Sequence, residues 1–309
     1  MKNILGYYYS LHPSEIYHKD DKYFFEYLDN NYVLEPFKRP LNDVDALYNV
    51  NTQMKKKDLL IHEIIINNEN KILTYINNVP YILLEIFINP KSRIMLLDIC
   101  HINNSTTELQ VSNILNRTDW TNLWEMKNDY FESQISELSK KHPVLCNYAN
   151  YYIGLAENAI AYVRSANKND DNTLTCICHK RISASDTVYS LYNPTEFVYD
   201  YRIRDACEYI KSAFFKDEDA YSLIEEYFKY NSLSYKEALL FYGRLLYPSY
   251  FFDIYDEIVN KDLDDNIIEN IIIKSDAYEK FLLDVYILFT KLYNRYIPGI
   301  DWIIKRSSY

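Results

Sequence analysis

The stretch LIHEIIINNENKILTYINNVPYILLEIF, residues 60–87, decides the fold because it holds three β-type runs in succession. The runs are rich in Ile, Leu and Tyr, and turns that contain Asn separate them. Similar runs precede this stretch, whereas amphipathic helical patterns dominate after residue 90. The predicted strands of this first part of the chain are residues 15–18, 23–28, 32–36, 61–66, 71–76 and 80–87.

One predicted helix, residues 42–54, interrupts these strands, and longer helical patterns follow the switch near residue 90. These longer helices are predicted at residues 118–141, 143–165, 202–215, 220–230, 234–246 and 265–296. A β-type island after the second of them comprises residues 174–179, 187–191 and 196–200. Because strands and helices do not alternate as βαβα units, the order predicts an α+β fold with two lobes. We place a β-rich N-lobe at residues 1–88 and a helical C-lobe at residues 89–309.

The composition excludes several functional classes. A net charge of −11 over 309 residues argues against nucleic-acid binding and against adsorption to an anionic membrane, since both need clustered Lys and Arg. No apolar run reaches the roughly 18 residues of a membrane span, and the N-terminal stretch lacks a signal-peptide cleavage site. Five cysteines in a chain of this size predict buried, reduced thiols and a cytoplasmic protein.

Two further stretches carry a family resemblance: HPVLCNYANYYIGLAENAIAYV, residues 142–163, and FVYDYRIRDACEYIKSAF, residues 197–214. Together with residues 60–87 they resemble, in order and spacing, the bacterial spore-coat kinase-like family (CotS/YutH type), a branch of the aminoglycoside/choline phosphotransferase-like proteins. In that family they would be the strands before the hinge, the helix before the catalytic loop, and the metal-binding strand with its following helix. The resemblance covers residues 7–300 and implies a bilobal protein-kinase-like fold.

The stretch CICHKRISASD, residues 176–186, falls where the resemblance places the catalytic loop, His-Gly-Asp and then Asn. His179 matches the His, Lys180 replaces the Gly, and Arg181 replaces the Asp that accepts the substrate proton. A guanidinium stays protonated and has no acceptor, so Arg181 cannot be a general base. Asp186 stands in for the Asn, and Asp200 falls at the second metal-binding position. These two carboxylates would bind Mg²⁺ or, alternatively, would be solvated or ion-paired.

The phosphate-binding side that the resemblance implies is also altered. No glycine lies between Gly6 and Gly154, and the turn HKDDK, residues 18–22, therefore lacks the glycines that bring backbone N–H groups close to a nucleotide. Either Glu35 or Lys38 occupies the position of the phosphate-binding lysine.

The remaining positions of this implied cleft are acidic. The helix partner of the lysine would be Asp43 or Asp45, and Glu85 lies in the last strand before the hinge. We therefore expect a degenerate nucleotide cleft with no cofactor, or Mg²⁺ and ATP if the cleft functions. Asp205 and Glu208 are interpreted as helix-start and packing residues.

Rival interpretations use the cysteines and tryptophans. Cys176, Cys178 and His179 suggest zinc ligands, but the pattern lacks a fourth ligand, and buried small side chains account better for the cysteines. A Cys-His hydrolase with Cys178 or Cys146 as nucleophile lacks a glycine-rich turn. Trp120 and Trp124, four residues apart on a helix, are predicted to lie in the core.

The leading hypothesis is a catalytically inactive kinase-fold protein that serves as a spore-coat or assembly module. It would be cytoplasmic, then incorporated into the coat, and its partners would be other coat proteins. The second hypothesis is an atypical phosphotransferase that uses Mg²⁺ and ATP. The third is a protein that binds a nucleotide without turnover.

Overall fold

We describe a computed structural model of the chain, which covers residues 1–86 and 92–305. The chain forms two compact units. The first comprises Met1–Asn116 and Thr175–Asp200, and the second Arg117–Leu174 and Tyr201–Tyr309. The predicted lobe boundary between residues 88 and 89 lies outside the described residues.

The first unit contains an antiparallel sheet with the strand order β1-β2-β3-β6-β4, and β5 pairs with β6. The elements of this part of the chain, in order, are α1 (Lys2–Tyr9), β1 (Tyr17–Lys19), β2 (Lys22–Tyr27), β3 (Asn30–Pro36), α2 (Val44–Lys56), β4 (Glu63–Ile65), β5 (Leu73–Ile76), β6 (Val79–Ile86) and α3 (Leu96–Ser105). Each predicted strand is confirmed with its described ends shifted by at most two residues; the predicted end of the last strand, residue 87, lies outside the described residues.

Three two-residue turns connect the strands of this sheet, and both residues of each turn have a positive φ. The turns are Asp20-Asp21, Leu28-Asp29 and Asn77-Asn78. Turns with this backbone match the right-handed twist of the flanking strands. Asp and Asn tolerate the left-handed region better than other non-glycine residues do, so Leu28 is the exception among the six positions.

One face of the sheet is covered by α1, a helix that the sequence patterns did not predict. Leu5 and Tyr9 of α1 pack with the buried side chains of Phe25, Leu34 and Leu83. The Tyr9 hydroxyl also contacts the Thr74 hydroxyl at 2.8 Å. The apolar side chains of α1 therefore complete this part of the core.

The second helix, α2, is fixed to β4 through Asn51. The Asn51 side chain donates to the carbonyl of His62 at 2.7 Å and accepts from the backbone N–H of Ile64 at 3.1 Å. A buried amide that pairs with both groups replaces the hydrogen bonds that these groups lose with water.

The rest of the chain is largely helical. Its elements are α4 (Trp120–Leu138), α5 (Pro143–Ala166), β7 (Thr175–His179), α6 (Val188–Leu191), β8 (Phe197–Tyr201), α7 (Arg204–Phe215), α8 (Ala220–Tyr230), α9 (Tyr235–Leu246), α10 (Ser249–Lys261), α11 (Glu269–Ile272), α12 (Ser275–Leu292) and α13 (Asp301–Lys305). Trp120 and Trp124 are buried and stack with ring centroids 5.3 Å apart, as predicted for core residues. Within the described ranges, none of the helices combines the length and the apolar character that crossing a membrane requires.

Two predictions for this region are wrong. Residues 187–191 are not a strand: Thr187 is extended, but its carbonyl accepts from the N–H groups of Ser190 and Leu191, which closes the short helix α6. Residues 265–296 are not one helix, because a 3₁₀ turn at Asp265–Ile268 and a break before Ser275 divide them. At this break the Lys274 ammonium donates to the carbonyl of Phe215 at 2.9 Å.

A buried ionic group in the second unit, which we call the Glu208 cluster, comprises Glu208, Lys211, Arg244 and Ser249. The Glu208 carboxylate lies 2.8 Å from the Lys211 ammonium, 2.6 Å from the Arg244 guanidinium and 2.7 Å from the Ser249 hydroxyl. Burial by itself would raise the pKa of Glu208, but the two cations hold this pKa far below its usual value. Together with the complete burial of Asp205, this geometry agrees with the predicted packing role.

Candidate functional site

The turn between β1 and β2 is the place where the family resemblance implies a phosphate-covering loop. It contains two residues, Asp20 and Asp21, with φ values of 51° and 63°. The Asp21 carboxylate lies 3.7 Å from the ammonium of Lys38, and both side chains are about three-quarters exposed. A tight turn that presents two carboxylates repels phosphate instead of surrounding it with N–H groups.

Glu35 lies on β3, and its carboxylate is almost completely buried. The Lys22 ammonium contacts it at 2.5 Å, and the Tyr189 hydroxyl donates to it at 2.7 Å. The Asn193 amide and the Thr195 hydroxyl donate at 2.9 and 3.1 Å. We call these five residues the Glu35 cluster. Every interaction that a buried carboxylate needs is therefore supplied from within the first unit.

The charge state of this cluster follows from its burial. Burial alone would raise the pKa of Glu35, but the Lys22 ammonium and the hydrogen bonds from Tyr189 and Asn193 outweigh it and lower this pKa. Burial raises the pKa of the Tyr189 hydroxyl, and the nearby Glu35 carboxylate raises it further. Glu35 is thus an anion that accepts from a neutral phenol, with Lys22 as its counter-ion.

His62 contacts Tyr189 of this cluster. Its Nε2 is 3.1 Å from the carbonyl oxygen of Tyr189, and its ring centroid is 5.2 Å from that of Tyr189. Burial lowers the pKa of His62 to about 4, although the hydrogen bond to Tyr189 acts in the opposite direction. His62 is therefore neutral at pH 7 and stabilises the backbone that presents the Tyr189 hydroxyl.

Lys38, the second candidate for the lysine position, lies beyond the end of β3 and is exposed. A different residue, Arg39, forms the buried ion pair near the start of α2: its Nη2 lies 2.8 Å from the Asp43 carboxylate. Arg39 also donates to the carbonyls of Thr195 and Phe197 at 3.0 and 2.6 Å. Asp43 thus has a buried cationic partner, whereas Asp45 is exposed.

Glu85 lies on β6, away from the Glu35 cluster. The register pairs Glu85 with Tyr32, and Glu35 with Ile82. Since side chains alternate between the faces of a strand, Glu35 and Glu85 point to opposite sides of the sheet. Burial and the neighbouring Glu63 raise the pKa of Glu85. The structure therefore does not bring Glu85 together with Glu35.

His179 ends β7 and is buried. Its Nε2 lies 2.8 Å from the carbonyl oxygen of Leu191. The next residue, Lys180, donates its N–H to the carbonyl of Glu196 at 2.8 Å, and burial lowers the pKa of its side chain. Arg181 is exposed and donates to the carbonyl of Lys180 at 2.9 Å. The position that the family resemblance assigns to the catalytic base therefore carries a cation that contacts its own loop.

The two proposed metal ligands lie in the same unit. The Asp186 carboxylate accepts from the backbone N–H of Ser183 at 2.7 Å, and Asp200 is fully buried on β8. Within residues 1–86 and 92–305, no three His, Cys, Asp or Glu side chains are grouped so that they could hold a metal ion. Magnesium binding by Asp186 and Asp200 stays a prediction.

A nucleoside triphosphate does not fit the residues at this site. The turn between β1 and β2 carries the carboxylates of Asp20 and Asp21, and β3 carries the buried carboxylate of Glu35. The ammonium of Lys22, the cation nearest to Glu35, is already paired with that carboxylate. Phosphate recognition needs free N–H groups and cations, so the donor set is unsuited to it.

The sequence patterns missed most of the Glu35 cluster. Lys22 ends the turn segment 18–22, whose only informative feature in the sequence is the absence of glycine. Tyr189 lies in residues 187–191, which the sequence predicts as a strand. No spacing in the sequence connects these residues, because Glu35 and its three neutral donors are 154–160 positions apart.

Comparison with known proteins identifies the family. Residues 2–285 match the family model described as "Spore coat putative kinase YutH". The chain belongs to this family. The match spans the sheet, residues 176–186 and the helices through most of α12, so the resemblance stated from the sequence is confirmed.

A curated relative supports the same family. The endospore coat-associated protein YutH of Bacillus subtilis (strain 168) is 25% identical over 211 residues, which are 61% of this chain. The chain spans 62% of the length of this relative.

Solved structures support the fold. An aminoglycoside phosphotransferase from Alicyclobacillus acidocaldarius subsp. acidocaldarius DSM 446 has a TM-score of 0.63 at 9% identity, covering 94% of this chain and 96% of the other. Spectinomycin phosphotransferase APH(9)-Ia has a TM-score of 0.55 at 11% identity, covering 95% and 94%. The fold is thus kinase-like, with an antiparallel-sheet N-lobe and a helical C-lobe.

Proposed function

We propose that this chain is a catalytically inactive kinase-fold protein that works as a binding or assembly module of the spore coat. The observation that carries the proposal is the Glu35 cluster. A buried carboxylate with its own ammonium and three neutral donors occupies the strand that carries the phosphate-binding lysine in kinases. The cluster satisfies itself and offers nothing to an incoming phosphate.

Two independent features support the loss of catalysis. Arg181 stands at the position of the catalytic base, and a guanidinium has no acceptor for a proton. The turn Asp20-Asp21 is a two-residue connection, and its left-handed backbone is occupied by acidic residues instead of glycine. Loss of a general base costs about 10²- to 10⁴-fold in rate, and loss of phosphate positioning adds to it.

Thermal unfolding with ATP, with and without Mg²⁺, tests the proposal. A ligand at a hundred times its dissociation constant adds about 2.7 kcal/mol to the free energy of unfolding, which a melting curve resolves. We expect no change in Tm, while an active phosphotransferase of the same fold, measured in parallel, shows one. A magnesium-dependent rise in Tm that Asp200→Asn abolishes would contradict the proposal.

A phosphotransferase remains the second candidate, because Asp186 and Asp200 keep carboxylates at the two metal positions that the family resemblance implies. Transfer of labelled γ-phosphate by the wild-type chain, lost in both Asp186→Asn and Asp200→Asn, would establish it. A Tm shift with ATP but no transfer would instead indicate that the nucleotide is a structural ligand.

The family and its curated relative support a place in the coat. The partners that we propose are other coat proteins. A tagged chain expressed in a sporulating host is expected in the coat fraction of purified spores. Recovery only from the mother-cell lysate, with a known coat protein recovered normally from the same spores, would contradict this location.

A further inference from the structure

The helix α4 carries apolar side chains on two of its faces. One face holds both of its tryptophans and packs into the core. The other face holds Leu123, Met126 and Tyr130, which are 40%, 72% and 53% exposed. A helix at the surface of a fold buries one apolar stripe and presents polar residues on the opposite side, so packing within the chain does not account for the second face.

The three exposed side chains form one continuous stripe, which we call the Met126 stripe. Their spacing of three and four residues places them within about 60° of one another around the helix axis and over about 10 Å along it. Helices that pack side by side present their anchor residues at this same spacing, so the shape of the stripe matches a helical partner. Met126 has an unbranched and polarizable side chain, which adapts to the surface that it meets.

Carboxylates surround the stripe. Asp119 and Glu137 lie in line with it, beyond its two ends, and Asp129 lies beside it. These three side chains are exposed, and none of them forms an ion pair with a residue that the structure describes. On the side of α10, Asp253 and Asp256 lie 3.9 and 3.5 Å from the ammonium of the single lysine within α4. Two carboxylates therefore face one cation there.

The other cations near the stripe do not cancel this charge. Arg164 contacts a glutamate on α4, and the ammonium of Lys141 lies 2.6 Å from the carboxylate of Asp262. Arg117 and Lys140 flank the helix and offset at most the carboxylates at its two ends. The middle of the rim therefore stays negative.

We propose that the Met126 stripe docks an amphipathic helix of a partner protein, whose apolar face covers the stripe and whose flanks carry Lys or Arg. Such a helix complements both the apolar stripe and its acidic rim, whereas a second copy of this chain would bring like charges together. The inference deepens the proposed assembly role by naming the kind of partner, and it rests on that role only for its place in the coat. Its test uses no nucleotide, so its failure is distinguishable from failure of the catalytic proposal.

The test titrates two synthetic peptides into the full chain and follows their binding by fluorescence anisotropy. Both peptides are amphipathic helices of about 20 residues, long enough to span α4, and they share the same apolar face. One carries lysines along its flanks, and the other carries glutamates. The lysine peptide is expected to bind with an affinity that falls as the salt concentration rises, and the glutamate peptide should not bind.

Substitutions locate the contact on α4. The double variant Met126→Gln, Tyr130→Gln is expected to raise the Kd of the lysine peptide about tenfold or more, while Tm stays unchanged because both side chains are exposed. The matched control Tyr230→Gln, at an exposed tyrosine of α8, should leave this Kd unchanged. Asp129→Lys combined with Glu137→Lys should weaken binding of the lysine peptide and permit binding of the glutamate peptide.

Three outcomes would overturn the proposal. A wild-type chain that binds neither peptide, or binds both equally, has no acidic docking stripe. Binding of the lysine peptide that the double variant leaves intact places the contact elsewhere on the chain. A wild-type dimer in sedimentation that the double variant dissolves would show that a second copy, and not a basic helix, covers the stripe.

Discussion

The Glu35 and Glu208 clusters both bury a glutamate against a lysine, yet they are built differently. Glu208 takes its partners from its own helix, from α9 and from the start of α10, and its lysine, Lys211, is 2% exposed. Glu35 takes its partners from β2 and from residues 189–195, and its lysine, Lys22, is 31% exposed.

The difference teaches that one kind of ion pair serves two purposes. In the second unit it packs neighbouring helices, as buried pairs do in many folds. In the first unit it joins the sheet to a segment more than 150 residues away. The first kind lies within one helical core, and the second connects distant segments of the first unit.

The largest effect is expected from Glu208→Gln. This change leaves Lys211 and Arg244 buried without a counter-ion, and we expect the free energy of unfolding to fall by about 3–5 kcal/mol. Urea denaturation followed by circular dichroism measures it. The control Glu257→Gln removes an exposed pair with Lys261 and should change this free energy by less than about 0.5 kcal/mol. Similar losses for both variants would show that the Glu208 cluster is not a core element.

The next effect is a pH dependence of stability that arises from His62, which contacts the Glu35 cluster through Tyr189. Its pKa is lowered to about 4 in the folded chain from an ordinary 6.5, so the folded state favours the neutral ring. Its contribution to stability is complete above pH 6.5 and is lost as the pH falls towards 4, which amounts to at most about 3 kcal/mol.

Denaturation curves at pH 7 and pH 4.5 measure this contribution. His62→Gln should reduce the difference between the two curves, while the exposed control His101→Gln should not. An equal pH dependence in the wild type and His62→Gln would show that the ring is protonated without cost in the folded chain.

Glu35→Gln is expected to lower the free energy of unfolding by about 2 kcal/mol, less than Glu208→Gln does. The reason is that Lys22 regains water when its partner is lost, whereas Lys211 cannot. The same denaturation series supplies the measurement. If Glu35→Gln costs as much as Glu208→Gln, the two clusters are energetically alike and the distinction drawn between them fails.

The smallest effect is expected from Lys22→Met, about 1 kcal/mol at pH 7, because three neutral donors still hold the carboxylate. Without the ammonium, the pKa of Glu35 should rise. Ionised Glu35 stabilises the fold above the pKa that this carboxyl has in the unfolded chain, and this stability is lost as the pH falls through the folded pKa. In Lys22→Met the loss should therefore occur at a higher pH than in the wild type. Lys38→Met, at an exposed pair, is the control and should shift neither quantity.

The sheet and most helices were predictable because their patterns are local. The alternation of Ile, Leu and Tyr located the strands within two residues, and the pattern at residues 220–230 gave α8 with its observed ends. The four residues of α6 were not predictable in this way, because hydrogen bonds to Thr187 close that helix although Val and Tyr favour strands. The helix α10 follows Pro248 and is rich in aromatic residues, and it was also missed.

The site was predictable only in part. Family resemblance directed attention to Glu35 and Arg181, and the structure gives Glu35 its partners. Nothing in the sequence connects Glu35 with Lys22 or with Tyr189, because chain folding alone brings these residues together. The burial that makes Tyr189 a neutral donor is likewise a tertiary property.

The burial of all five cysteines gives the molecule a built-in reporter of its own opening. Cys100, Cys176 and Cys178 lie in the first unit, Cys146 and Cys207 lie in the second, and none is disulfide-bonded. A thiol reagent reaches a buried sulfur only when the surrounding structure opens. The rate at which each native cysteine reacts therefore records how often its unit opens, and no cysteine has to be introduced by mutation.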